Sequence, residues 1–170
     1  EGSYIRTQQK KAWPESQGEA RYRRALYTFF WRSSPYPLMP TFDAPGAIVT
    51  CTRRSRSNTP LQALLLANDR SFFEFAQGLA SEITRADISQ DEERLAYAFR
   101  RSLSRLPSEQ ELVRLQAFFE TQREYFKSAP TDAEKVAPAD RADGFPLEDA
   151  AAWTAVSRVL FNLDEFITRE

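Results

Sequence analysis

The sequence predicts an all-α protein: an irregular bundle of about six helices with a proline-rich extended strap and one helical hairpin. Three observations carry this. Glycine is scarce, five in 170 residues, which leaves few of the tight turns that a many-stranded sheet needs. Apolar residues recur at three-to-four spacing along several stretches, the period of one helical face. Ser or Thr followed three residues later by Glu or Gln, the chemistry of a helix start, precedes several of them. With 42% apolar residues the chain can fill a core, and a chain of this size buries roughly 70% of its unfolded surface.

In chain order, residues 1–18 are polar, contain Pro14 and Gly18, and read as an irregular lead from which Trp13 docks on the body. Residues 19–170 read as a single helical domain. A first helix is expected from Glu19, with Tyr22, Leu26, Phe29 and Phe30 on one face. Pro35, Pro37 and Pro40 then forbid a helix and favour an extended strap anchored by Tyr36, Leu38, Met39 and Phe42. Residues 46–52 are rich in β-branched side chains and read as a short strand or, equally, extended coil. Thr59 caps the next helix, Pro60 suits its first position, and Gln62 completes a capping box. Leu61 and Ala63 to Ala67 make that helix apolar all round, so it is expected to be buried on most sides.

Ser71 with Glu74 predicts a further capped helix, with Phe72, Phe75, Ala76, Leu79 and Ile83 inward. Ser89 with Glu92 predicts another, striped by Leu95, Phe99, Leu103 and Leu106. Pro107 stops it, and Ser108 with Glu111 starts the next, lined by Leu112, Leu115, Phe119 and Phe126. The short turn between these two makes an antiparallel hairpin. Residues 128–146, with three prolines and four acids, read as a flexible acidic loop. A last helix starts near Leu147 and carries Trp153, Val156, Val159, Leu160 and Leu163.

Composition removes several kinds of chemistry. There is no histidine and one cysteine, so no His-based triad, no internal disulfide and no Cys/His metal site is available within these residues. A buried, apolar role is expected for Cys51. No run approaches the roughly 20 apolar residues of a membrane span, and EGSYIRTQQKKAW lacks the apolar centre of a signal peptide. The polar start without methionine reads as part of a longer chain. Asp87, Asp91, Glu92 and Glu93 sit at a helix start, where acids are favoured by the helix dipole. Asp140, Asp143 and Gly144 lack the alternating oxygen ligands of a calcium loop.

Charge is unevenly placed. Residues 1–60 carry ten Lys/Arg against four acids, and residues 61–170 carry thirteen against twenty. The bland reading is a basic part packed near an acidic one; the sharper is a basic face for an acidic or phosphate- or sulfate-bearing partner. A nucleic-acid surface is not expected, because the isoelectric point is acidic at about 5.7. The sharper reading concentrates on residues 41–69. Arg53, Arg54 and Arg56, with Ser55, Ser57, Asn58 and Thr59, bring donors to a helix start that attracts anions. Asp43 and Asp69 are the acids that would instead pair these arginines internally and tie the strap to the helices. No nucleophile or proton-transfer base stands out, so no catalytic, metal-binding or cofactor-binding residue is assigned.

YRRALYTFFWRSSPYPLMPTFDAP, CTRRSRSNTPLQALLLAND, the AYAFRRSLSRLPSEQEL hairpin and the closing AAWTAVSRVLFNLDEFITRE occur in order over roughly residues 20–170. Together they resemble the planctomycete-type cytochrome-associated C-terminal domain of unknown function. The resemblance implies the end of a large exported, multidomain protein at the periplasm or cell surface, with haem c in an upstream domain and none in these residues. It implies upstream domains of the same chain as partners, and a sulfatase-like protein by association. The leading expectation is therefore a noncatalytic C-terminal helical module that docks within or between proteins. The alternatives are binding of an anionic ligand, such as a sulfated or acidic glycan, through residues 53–59, and part of a hydrolase completed by an upstream region.

Overall fold

The structure is a computed structural model that describes residues 16–28, 30, 36–46, 49–53 and 56–168. Expectations for Trp13, Phe29, Pro35 and Arg54 lie outside the described residues. The fold is all-α: eight helices and no strand occur among the described residues, and six of the helices have seven residues or more. The chain divides into two compact units, residues 1–62 and 63–170. The first unit carries ten Lys/Arg against four acids and the second thirteen against twenty, so the first holds the basic excess and the second the acidic one.

In the first unit the helix expected from Glu19 is replaced by two 3₁₀ turns, Gly18–Tyr22 and Ala25–Tyr27. Two causes are visible. Neither turn has a side-chain cap, and Arg23 and Arg24 between them take extended backbone angles. Residues 22–28 are all exposed, so no apolar face is buried to stabilise a short helix. The strap also departs from expectation, because Leu38–Thr41 forms a single helical turn, α1. Pro40 is tolerated there because a helix's first N–H groups need no intrahelical acceptor. The turn ends in a Schellman motif: Asp43 N donates to Pro40 O at 3.2 Å and Ala44 N to Met39 O at 2.9 Å. Asp43 occupies the left-handed position of that motif, at φ 56°, a place usually given to glycine and tolerated by Asp.

Helix α2, Pro60–Asn68, starts where expected. It is not buried on most sides, for Gln62 and Leu66 are buried while Leu61 and Leu64 are 58% and 60% exposed. In the second unit follow α3 (Arg70–Arg85), α4 (Asp91–Leu103), α5 (Glu109–Ser128), α6 (Pro130–Val136), α7 (Leu147–Phe161) and α8 (Asp164–Ile167). The capping box of α5 forms as read, with Ser108 and Glu111 each bonded to the other's backbone N–H. Those of α3 and α4 do not. The α3 cap is Asp69, two residues earlier, and Glu74 instead pairs with Arg70; Gln90 precedes α4 without a side-chain bond.

Helix α7 is the centre of the second unit and packs against α3, α5 and α6. Its Ala150, Ala151 and Ala152 let those neighbours approach closely, and Trp153, Val156 and Leu160 are fully buried. Thr154 and Ser157, also buried, donate back to the carbonyls of Ala150 and Trp153, so a helix buried on nearly every side leaves no hydroxyl wasted. Phe119 of α5 lies on Trp153 with ring centres 4.2 Å apart. From α3, Ala76, Ala80 and Ile83 are buried and Leu79 packs against the core; of the expected pair Phe75/Ala76 it is Ala76 that turns inward, while Phe75 is 41% exposed. Leu95 and Phe99 of α4 are buried as expected, whereas Leu106 is 65% exposed.

The stretch 128–146, expected as a loop, begins with α6, launched by Pro130 at a first-turn position. Its remainder follows a polar row on α3. Gln77 donates to the carbonyls of Val136 and Ala137, Ser81 and Arg85 donate to that of Asp140, and Thr84 accepts from Ala142 N. This row sits at i, i+4, i+7 and i+8, one face of the helix.

Candidate functional site

Of the residues singled out between 41 and 69, the structure gathers Asp43 and Thr59 into one polar node. The node is built from two turns. At the end of α1, the left-handed Asp43 aims its carboxylate at residue 57: Oδ2 accepts from Ser57 N at 2.8 Å and from Ser57 Oγ at 2.7 Å. At the start of α2, Thr59 and Gln62 form the expected capping box. Thr59 N donates to Gln62 Oε1 at 2.8 Å, and Gln62 N to Thr59 Oγ1 at 3.3 Å. Gln62 then joins the two turns, since its Nε2 donates to Thr41 O at 2.8 Å and to Ser57 Oγ at 3.1 Å. The side chain is 1% exposed, and both amide hydrogens and the amide oxygen are engaged.

Arg53, Arg56, Asn58 and Thr59 are exposed. Arg53 and Arg56 form no ion pair with a described residue, so the expectation that these two fasten the strap to Asp43 or Asp69 does not hold for them. Arg54 lies outside the described residues. Asp69, in the second unit, caps α3 by accepting from Ser71 N at 2.8 Å and Phe72 N at 3.4 Å. Cys51 is exposed rather than buried, and its Sγ donates to Arg53 O at 3.3 Å.

Sequence reasoning missed Thr41, counted Ser57 only among the donors beside the helix start, and saw Gln62 only as a cap. A signal for them was present. In Thr-Phe-Asp followed by Ser-Asn-Thr-Pro-x-Gln, the Gln offers a two-proton amide beyond what a Glu could give at the capping-box position.

Two arginine nodes in the second unit carry the stronger electrostatics. Arg123 reaches Asp149 at 2.8 Å, Asp91 at 2.6 Å and Glu120 at 3.1 Å, and its guanidinium lies 4.4 Å from the centre of the Phe119 ring. Burial pulls its pKa down, but the hydrogen bond to Asp91 and the charges of Asp149, Asp91 and Glu120 together lift it above the ordinary value. For Asp149 burial wins, raising its carboxyl against the pull of Arg123. Both values rise, with opposite consequences for charge: Arg123 sums three favourable partners, whereas Asp149 meets the burial cost with one.

Arg105 spends its guanidinium donors on Glu111, Glu165 and the Leu106 carbonyl, and stacks 4.7 Å from the centre of Phe99. It joins the α4–α5 turn to α8. Among the described residues, no group of Cys, Asp and Glu side chains is placed to hold a metal ion, and no helix is long and apolar enough to cross a membrane.

Residues 1–119 match a family model described as PSD1, a protein of unknown function (DUF1553). The match takes in the first unit, the polar node, α2 to α4 and the first half of α5. No curated protein and no solved structure matches the chain.

Proposed function

The chain belongs to the PSD1 family of proteins of unknown function, and on that footing we propose that it is a noncatalytic helical docking module. It serves a larger, exported, cytochrome c-containing protein of the periplasm or cell surface. One observation supports the docking role above the alternatives: the most chemically specific residues of the chain are turned inward on one another. Gln62 commits its whole amide to Thr41, Ser57 and Thr59. A site that takes up and releases a substrate keeps donors and acceptors open to it; this node spends them on the chain's own backbone and fixes the geometry of a surface.

Hydrogen exchange compared between the 170-residue chain and the longer natural protein tests this. Docking predicts slowed exchange over a contiguous surface patch in the longer protein, and identical exchange throughout would overturn it. Haem staining of the longer protein tests the cytochrome part separately.

A second reading rests on exposed Arg53 and Arg56, which form no ion pair with a described residue beside the start of α2. These would bind an anionic glycan. Titration with sulfated and uronic-acid oligosaccharides should then show binding that falls with salt and in the double variant Arg53→Ala/Arg56→Ala. Binding indifferent to both changes excludes it.

A further inference from the structure

The first unit presents an unusual strip. Residues 22–28, Tyr-Arg-Arg-Ala-Leu-Tyr-Thr, are exposed without interruption. Leu26 is 79% and Tyr27 66% exposed, and neither 3₁₀ turn that carries them contributes a buried residue. Arg23 and Arg24 stand between the apolar side chains, in a unit that holds ten basic residues against four acids. Single exposed apolar residues need no explanation. Leucine and tyrosine beside two arginines on an exposed stretch are different, because aromatic residues and arginine are the types enriched where proteins meet.

Resting on the docking reading, we propose that residues 22–28 are the docking strip, and that its partner is an acidic protein surface with an apolar centre. Charge decides among the classes of partner. A nucleic acid or an anionic membrane extends its negative field well beyond a strip this short. It would favour a chain that is basic overall, whereas the isoelectric point here is about 5.7. A membrane-surface segment would also need one continuous amphipathic helix, whereas Arg23 and Arg24 are extended between two separate turns. A protein patch confines its negative charge to the strip itself. Arg23 and Arg24 steer and orient the encounter, and Leu26 and Tyr27 supply the contact that is withdrawn from water.

The test titrates the 170-residue chain with a synthetic peptide alternating Asp/Glu with Leu/Phe. Parallel titrations use a Glu/Ser peptide of equal charge, a heparin oligosaccharide and phosphatidylglycerol vesicles. The proposal expects the first peptide to bind, with affinity that falls as salt is raised. Arg23→Glu/Arg24→Glu should weaken it by about tenfold or more. Leu26→Ser/Tyr27→Ser should weaken it while leaving the salt dependence in place. Equal binding of the Glu/Ser peptide, preference for heparin or vesicles, or indifference to both variants overturns it. The two readings can fail separately. Slowed exchange in the longer protein that spares residues 22–28 keeps docking and sinks the strip. Peptide binding at the strip without slowed exchange keeps the strip and moves its partner outside that protein.

Discussion

Gln62 and Asp43 are joined through one hydroxyl group: Ser57 Oγ accepts from Gln62 Nε2 at 3.1 Å and donates to Asp43 Oδ2 at 2.7 Å. The direction of that relay is fixed at both ends. An ionised carboxylate can only accept, so the serine proton points to Asp43 and its lone pair is left for the amide.

Gln62→Glu should therefore be far worse than its similar shape suggests. A carboxylate cannot donate to Thr41 O or Ser57 Oγ, and it brings a second negative charge toward Asp43. The capping-box bond to Thr59 N survives, so the loss reports the missing amide hydrogens together with the added charge. A cost of roughly 3 kcal/mol is expected, read as a fall in urea midpoint with unchanged slope. A midpoint within error of the parent would show that the amide donors contribute nothing.

At Asp43 two requirements can be separated by substitution. Asn tolerates the left-handed backbone and keeps an acceptor, Gly relaxes the backbone and loses the acceptor, and Ala fails on both counts. The expected order of stability is Asp, then Asn, then Gly, with Ala lowest at about 2–3 kcal/mol below the parent. Thermal unfolding of the four proteins checks it, and Gly at or above Asn would assign the position to backbone strain alone.

Arg123 and its partners should respond unequally. Arg123→Ala leaves three carboxylates facing one another beside Phe119, and about 2–3 kcal/mol is expected to be lost. Asp149→Asn removes the partner whose ionisation burial already opposes, so its cost should be under about 1 kcal/mol. Equilibrium unfolding of both variants decides the matter. Equal losses would mean that Asp149 carries the node.

Glu111 gives the clearest pH dependence. The hydrogen bond from Arg105, then that from Ser108 N, hold its carboxyl at about 2 against an ordinary 4.5. The folded value lies below the unfolded one, so its contribution is complete above the unfolded value and disappears as pH falls through the folded one. Glu111→Gln should be less stable than the parent near neutrality, and the difference should shrink steadily as pH falls from about 4.5 toward 2. Subtracting the two unfolding curves cancels the other carboxylates. A pH-independent difference would assign the effect to packing.

Much of the second unit was legible because its signals are local. Ser108 and Glu111 sit three residues apart, and Leu95, Phe99, Leu115, Phe119 and Trp153 recur at helical spacing, so each could be read without knowing its neighbours. Asp69 outcompeted Ser71 as a cap because its carboxylate reaches two N–H groups at once. Helix α7 exceeded its one-faced pattern because alanine is silent in such a pattern, yet it is what lets three helices close around Trp153. In the first unit, periodicity at Tyr22 and Leu26 suggested a helix that no burial stabilises. The node was half legible. Thr59 and Gln62 announce themselves as a cap, but the bond from Ser57 to Asp43 spans fourteen positions and depends on a left-handed residue that is not glycine.

That span has an architectural consequence. Asp43 and Ser57 act as a buckle, and residues 44–56, with exposed Cys51, Arg53 and Arg56, belong to a ring closed at its base. Doubling the length of such a ring costs only about 0.6 kcal/mol in closure entropy. The buckle thus makes residues 44–56 an exchangeable cassette. An insertion or deletion within that ring leaves Thr59 and Pro60 to launch α2 from the same place.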